Sequence, residues 1–379
     1  MDGVRGSIVK RGVGYSYVLY LGRDASGRKR QKWVGGFRTK RAAEAAMVEA
    51  LGRVQAGQFV DPGRLTVGEF LEQWLEAASP GLRASTAAGY VMVLTKRVIP
   101  RVGAQRLASL TPGHLTAMYA DLLAAGGRSG RPLSPRSVQY THTVVGRALA
   151  DAVEWGLLPR NPARSAKHPR VAKPDMRVWD AAEARQFLAS VRDDRLYAMW
   201  LLMLTTGLRR GEIAGLQWTD VDLDDASISV QHTRVSVDAK VVAVEPKTAK
   251  GRRSVALDEL TVQALRAHRV AQLQERLALG AAWEDSGFVF VREDGAPYHP
   301  ERILVMFKRL AAAAGVPPIR LHDLRHTSAT LALAAGVHPK VVQERLGHSS
   351  ISITLDTYSH VVKGLQHEAA EKVAALLVE

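Results

Sequence analysis

The chain of 379 residues is predicted to be an α+β protein of several domains. Three observations lead there. It is too long for one small core. Its β-forming runs are confined to the first 62 residues and to the stretch from Ile228 to Leu257. Capped segments of helical periodicity fill most of the remainder. The expected order is a small three-stranded β-sheet plus one helix over residues 1–62, a helical bundle over 63–168, and a mixed α/β domain with a C-terminal helix over 169–379.

In the first module, Ser7–Arg11, Tyr15–Leu21 and Arg30–Val34 carry β-branched and aromatic residues, with Gly12-Val13-Gly14 and Asp24-Ala25-Ser26-Gly27 as turns. Thr39 offers a cap for a helix through Ala42, Ala45, Met47 and Leu51. Residues 1–64 hold 13 Lys and Arg against 5 Asp and Glu, more than half of the chain's net charge of +15. A basic sheet of this kind can lay its exposed face into a DNA major groove.

The second module opens on Thr66 with Glu69 three residues later, the pattern of a capping box, ahead of Phe70, Leu71, Trp74 and Leu75 at core spacing. Thr111-Pro112 and Ser134-Pro135 each set a cap beside a proline suited to the first helical turn, while Pro100 and Gly103 are expected to break the pattern between elements. Arg83, Lys96, Arg97, Arg136 and Arg147 are candidate phosphate contacts. The segment from Pro159 through the basic run Arg164–Lys173 reads as an interdomain linker.

The third module begins with a helix capped by Asp180 and Glu183, then an apolar helix from Leu196 to Leu204. Strands at Ile228–Val235, Val241–Val244 and Arg253–Leu257 are expected to form one small sheet, with Lys247 at a strand end. Polar side chains suited to phosphate chemistry follow in order. Arg209 lies in Thr206-Gly207-Leu208-Arg209-Arg210-Gly211-Glu212, Lys247 in Pro246-Lys247-Thr248, and His322 and Arg325 in His322-Asp323-Leu324-Arg325-His326. His348 lies in Leu346-Gly347-His348, and Tyr358 in Leu355-Asp356-Thr357-Tyr358-Ser359-His360. Guanidinium groups can grip both non-bridging oxygens of a phosphodiester while a phenol attacks and a lysine or histidine moves protons. The residues alone do not choose between Arg209 and its neighbour Arg210. His322 and His326 are four apart, a spacing that can hold a metal, but the glutamate of the zinc-protease pattern is absent.

This ordered set resembles the tyrosine recombinases, the family of phage integrases of the lambda type, and the likeness covers nearly the whole chain. The resemblance selects Arg209 over Arg210. It implies catalytic roles for Arg209, Lys247, His322, Arg325 and His348, a supporting role for Glu212, and Tyr358 as the nucleophile that forms a 3′-phosphotyrosine. It further implies an arm-type DNA-binding module over 1–62, a core-binding helical domain over 63–168 and a tyrosine-recombinase catalytic domain over 169–379. Double-stranded DNA attachment sites of core and arm type, a homotetramer on DNA, an excisionase and a host DNA-bending protein are the implied partners. The tail from Gly364, with its stripe of Leu365, Ala369, Val373 and Leu376, is a candidate assembly helix. A type IB topoisomerase and a non-catalytic DNA-binding regulator are the competing readings.

Composition narrows the classes further. The positive charge asks for an anionic partner, and no apolar run reaches the length of a membrane-spanning helix, so nucleic acid is preferred over a membrane surface. The sequence has no cysteine, which removes disulfides, thiolate nucleophiles and cysteine zinc sites. No cofactor and no metal are expected, and a cytoplasmic, nucleoid-associated location is.

Overall fold

The computed structural model describes residues 5–23, 29–55, 64–171, 177–237, 240–244, 252–348, 350–352, 354–355 and 374–375. Lys247, Tyr358, the turns at 24–27 and 249–251, and nearly all of the tail from Gly364 lie outside the described residues. The chain divides into two compact units, Met1–Val171 and Ala172–Glu379.

The first unit starts with strands β1 (Arg5–Arg11), β2 (Gly14–Arg23) and β3 (Lys29–Phe37) in an antiparallel sheet of that order, with helix α1 (Lys40–Gln55) packed on it. The pairing sets Ile8 opposite Tyr17, and Tyr17 opposite Val34. Among the described residues, Tyr17, Val18, Leu19 and Ala43 are buried there. Thr39 Oγ1 accepts the Ala42 N–H at 3.2 Å, which begins α1 where the sequence places its cap. The Arg11 guanidinium lies 4.6 Å above the centre of the exposed Trp33 ring.

The helical part of this unit comprises α2 (Val67–Ala78), α3 (Ala84–Val93), a π-helical turn at Leu94–Val98, α4 (Ile99–Val102), α5 (Pro112–Ala125) and α6 (Pro135–Glu154). Thr66 and Glu69 exchange both capping-box hydrogen bonds, and Thr111 and Ser134 cap α5 and α6. Phe70, Leu71, Trp74, Leu115, Leu122, Val145 and Leu149 lie in one core. The polar edge of Trp74 is satisfied by Asp151 at 2.6 Å.

Two expectations need correction. Pro100 does not break the helix: α3, the π-helical turn and α4 run on without a break, and only Gly103 ends them. A proline has no N–H and crowds the carbonyl four residues back. Here the ladder widens by one residue just before it, so that the Ile99 N–H reaches Leu94 O. Residues 159–167 are not a free linker either. Asn161 donates to Gly146 O at 2.8 Å, Lys167 N donates to Thr116 Oγ1 at 3.0 Å, and Ala163 and Ala166 are buried in the bundle. The Pro and Asn content reads as a loop, yet small side chains at 163 and 166 let the backbone lie against α5 and α6. Of the candidate phosphate contacts, Arg97 donates to Ser137 O and Thr141 Oγ1 within the bundle, and Arg147 to the Tyr90 hydroxyl.

The second unit is built around α8 (Tyr197–Thr206), whose residues Ala198–Leu204 are all buried, as a helix apolar on every side requires. Before it, α7 (Ala181–Ser190) is closed by the Asp180–Glu183 capping box. Trp179, Phe187, Trp200 and Phe307 interlock as an aromatic cluster with ring centres 5.0–6.2 Å apart. The chain continues through α9 (Arg210–Gly215), β4 (Val221–Asp222), β5 (Ser227–Val230), β6 (Thr233–Val237), β7 (Lys240–Val244) and β8 (Arg253–Ala256). It then forms α10 (Glu259–Leu279), α11 (Pro300–Ala313), α12 (Asp323–Ala334) and α13 (Pro339–Leu346). The strands form two antiparallel sheets, β4-β5-β8 and β6-β7, where one was expected. The run from Ile228 to Val235 is interrupted at Gln231-His232, so β5 pairs with β8 while β6 turns back on β7. Among the described residues, no helix is long and apolar enough to cross a membrane.

Candidate active site

The site is organised by two helix ends. Helices α8 and α13 each finish on a glycine in the left-handed conformation, Gly207 at φ +67° and Gly347 at φ +66°. Such an ending leaves the last carbonyls of a helix without intrahelical donors, at the negative end of its dipole. Guanidinium groups take up these carbonyls. Arg253 Nε donates to Arg345 O at 2.7 Å, Arg325 Nη2 donates to Leu346 O, and Arg209 Nη2 lies 3.5 Å from Gly347 O. Three arginines from three separate elements therefore meet three successive carbonyls at the end of α13. Arg325 also bridges the two helix ends, with Nη1 donating to Gly207 O at 2.9 Å. Gly207 admits no side chain, because a Cβ there would stand 2.5 Å from Leu346 Cδ2 at a backbone angle that L-residues avoid.

Arg209 immediately precedes α9, in extended conformation, and Glu212 closes the first turn. The carboxylate of Glu212 is buried and accepts four hydrogen bonds. Oε1 receives Arg209 Nη1 at 2.7 Å and Arg253 Nη1 at 3.2 Å. Oε2 receives Arg209 N and Arg253 Nη2, both at 2.9 Å. Burial alone would raise the Glu212 pKa, but the Arg253 fork, followed by the charge of Arg209, reverses the direction and lowers it. Arg209 is the open member of the group, with its side chain 38% exposed against 6% for Arg253. Arg210 points elsewhere and pairs with Glu301 on α11 at 2.9 Å.

His322 stands just before α12, and Arg325 lies in that helix's first turn, buried. Arg320 grips Asp323 through both carboxylate oxygens, at 2.6 Å for the shortest contact, and so fixes the start of α12. The rings of His322 and His326 cross edge to face with centres 5.2 Å apart. Burial, and then the charges of Arg325 and Arg209, hold His322 below the ordinary histidine value. His326 is brought down to about 4 by burial and by its neighbour His322. His348 is also brought to about 4, again by burial first and then by Arg325 and Arg209. All three imidazoles are thus neutral at pH 7, able to accept a proton or to donate a neutral hydrogen bond. His348 emerges from the Gly347 turn, with its backbone tied to Gln343 on both sides and Nδ1 2.8 Å from the hydroxyl of the buried Thr354.

The structure brings Arg209, Glu212, His322, Arg325 and His348 into one cluster, while Lys247 and Tyr358 lie outside the described residues. Among the described residues, no group of three or more His, Asp or Glu side chains is placed to hold a metal. Three participants escaped the sequence reading: Arg253, Thr354 and the carbonyls of residues 345–347. For Arg253 a signal existed. It shares the inward-facing parity of β8 with the buried Val255, an unusual place for a charge. Nothing in the sequence around Thr354 distinguishes it.

Residues 177–364 match the model of the phage integrase family, residues 7–54 that of an arm DNA-binding domain, and residues 66–123 that of the phage integrase N-terminal SAM-like domain. The chain is 28% identical to a tyrosine recombinase XerC-like protein of Caldanaerobacter subterraneus subsp. tengcongensis over 98% of both chains. It is 30% identical to the ICEBs1 integrase of Bacillus subtilis over 65% of this chain and 67% of that one. The Tn1549 transposon integrase, solved with a circular intermediate DNA, shares the fold with a TM-score of 0.67 at 21% identity, over 83% of this chain and 100% of that one. A lambda integrase dimer bound to a COC′ core site does so with a TM-score of 0.57 at 17% identity, over 94% and 95%. The chain belongs to the phage integrase family of tyrosine recombinases, with an arm DNA-binding domain and a SAM-like domain preceding the integrase domain.

Proposed function

We propose that the protein is a site-specific recombinase that cuts and rejoins double-stranded DNA to integrate and excise a mobile element. The observation that carries this reading is the convergence of Arg209, Arg325 and His348 on the single turn that ends α13. It sets cationic and neutral hydrogen-bond donors side by side. In this reading Tyr358 attacks the scissile phosphorus, the bond to the 5′ oxygen breaks, and a 3′-phosphotyrosine forms. His322, neutral at pH 7, accepts the phenolic proton, and Lys247 protonates the departing 5′ oxygen. Arg209 and Arg325 stabilise the added negative charge of the pentacoordinate phosphorus, and His348 donates a further hydrogen bond. The ester retains the energy of the broken bond, so attack by a second 5′ hydroxyl reverses the step without ATP or metal.

Residues 1–62 serve as the reader of arm sites in this scheme, residues 63–168 clamp the core site, and residues 169–379 carry the chemistry. Four cleavages per recombination call for four protomers on two duplexes, and an excisionase and a host DNA-bending protein would set direction. A substrate cut from the DNA flanking this reading frame, nicked beside the cleavage position, tests the proposal. With EDTA present and ATP omitted, the protein is expected to become covalently attached and to join the strand to a second duplex. Covalent attachment without joining to a second duplex would assign a topoisomerase instead, and no attachment at all would leave a DNA-binding regulator.

A further inference from the structure

The Glu212 carboxylate faces two guanidiniums, and their surroundings differ. Arg209 comes from the residue before α9 and is open to solvent; Arg253 comes from β8 and is buried. β8 is held in register by Arg253 opposite Val230, and Nε of Arg253 is tied to Arg345 O. The buried arginine is therefore fixed from the sheet, from α9 and from the end of α13 at once. A lone Arg209–Glu212 pair would be a neutral unit, with the cation's field cancelled by its own counterion. The second guanidinium leaves the trio with a net charge of +1, its exposed portion on Arg209.

We propose that Arg253 is a positioning residue for strand cleavage: its fork absorbs the charge of Glu212, so that Glu212 orients Arg209 without neutralising it toward the phosphate. The inference rests on the recombinase reading above. Among the described residues, the charged groups facing Glu212 are Arg253 and Arg209. Without Arg253 the buried carboxylate keeps one partner and its pKa rises, since burial then acts against less compensation. Its ionised form is present above that pKa and is lost as pH falls.

The test compares single-turnover covalent attachment at saturating DNA for the parent, Arg253→Met, Arg253→Lys and the double variant Glu212→Gln/Arg253→Met, on the flanking-DNA duplex, together with DNA affinity. Arg253→Met is expected to bind DNA as the parent does and to attach about tenfold more slowly or worse. Its rate should fall further as pH is lowered, at a higher pH than any carboxyl-dependent loss in the parent, because a protonated Glu212 no longer orients Arg209. The double variant should be slow but without that acid limb, because no carboxyl remains to titrate. Arg253→Lys keeps the charge without the fork and should fall between Arg253→Met and the parent. Should Arg253→Met not fold, since a buried carboxylate left with one partner is costly, the lysine and double variants carry the test. Attachment by Arg253→Lys at the parent's rate and with the parent's pH profile overturns the inference, as does a loss at low pH in the double variant beyond the loss the parent shows. A parent protein that never attaches to DNA overturns the recombinase reading itself, which distinguishes the two failures.

Discussion

Tyr358→Phe is expected to bind core-site DNA as the parent does and to form no covalent complex. The substitution removes one hydroxyl and leaves the ring, so packing and charge are preserved while the attacking oxygen is lost. No other tyrosine lies downstream of His348, and Tyr298 is the only other one after Lys247. Burial pushes Tyr298 above the ordinary phenol value and pushes Tyr119 further still, which makes both poorer sources of a phenolate. Electrophoresis in detergent after incubation with a nicked duplex reads the result. A retained covalent band in Tyr358→Phe removes this residue from the nucleophile's role.

Arg325→Lys and Arg209→Lys should each leave DNA binding nearly intact and slow cleavage by about 10²- to 10³-fold, the effect of losing one preorganised donor to a developing charge. The structure explains why a conserved charge does not suffice. Arg325 spans Gly207 O and Leu346 O with two nitrogens of one planar group, and Arg209 holds Glu212 while reaching toward Gly347 O. A single ammonium cannot span such pairs in the same geometry. Arg210→Lys is the control. Its partner Glu301 is exposed, and an exposed pair contributes between 0 and about 1 kcal/mol, so cleavage should hardly change. A severe defect at Arg210 with a mild one at Arg209 would show that the wrong arginine of the pair has been placed at the phosphate.

The parts of this molecule legible in its sequence are those set by local chemistry. Thr66 with Glu69 and Asp180 with Glu183 announce helix starts because each pair satisfies its own orphan donors within one turn. Gly347 announces the end of α13, and with it the turn that delivers His348, because a left-handed residue favours glycine. What escaped depends on partners distant in sequence. The helix tolerates Pro100 through a π-helical turn just before it, and Ala163 and Ala166 hold a Pro-rich segment against the bundle. Arg253 meets Glu212 across 41 positions and Arg345 across 92. At the site, the motif order points to the arginines and histidines, but not to the carbonyls of residues 345–347 that gather them, since main-chain acceptors carry no sequence signature.

Identification of the atom that joins protein to DNA decides whether Tyr358 is the nucleophile. The complex trapped on a nicked duplex is digested with protease and nuclease, and the peptide carrying nucleotide is sequenced by mass spectrometry. One modified peptide is expected, containing Tyr358, linked through its phenolic oxygen to a 3′ phosphate. A link through any other residue, or a 5′-phosphate linkage, would contradict this assignment.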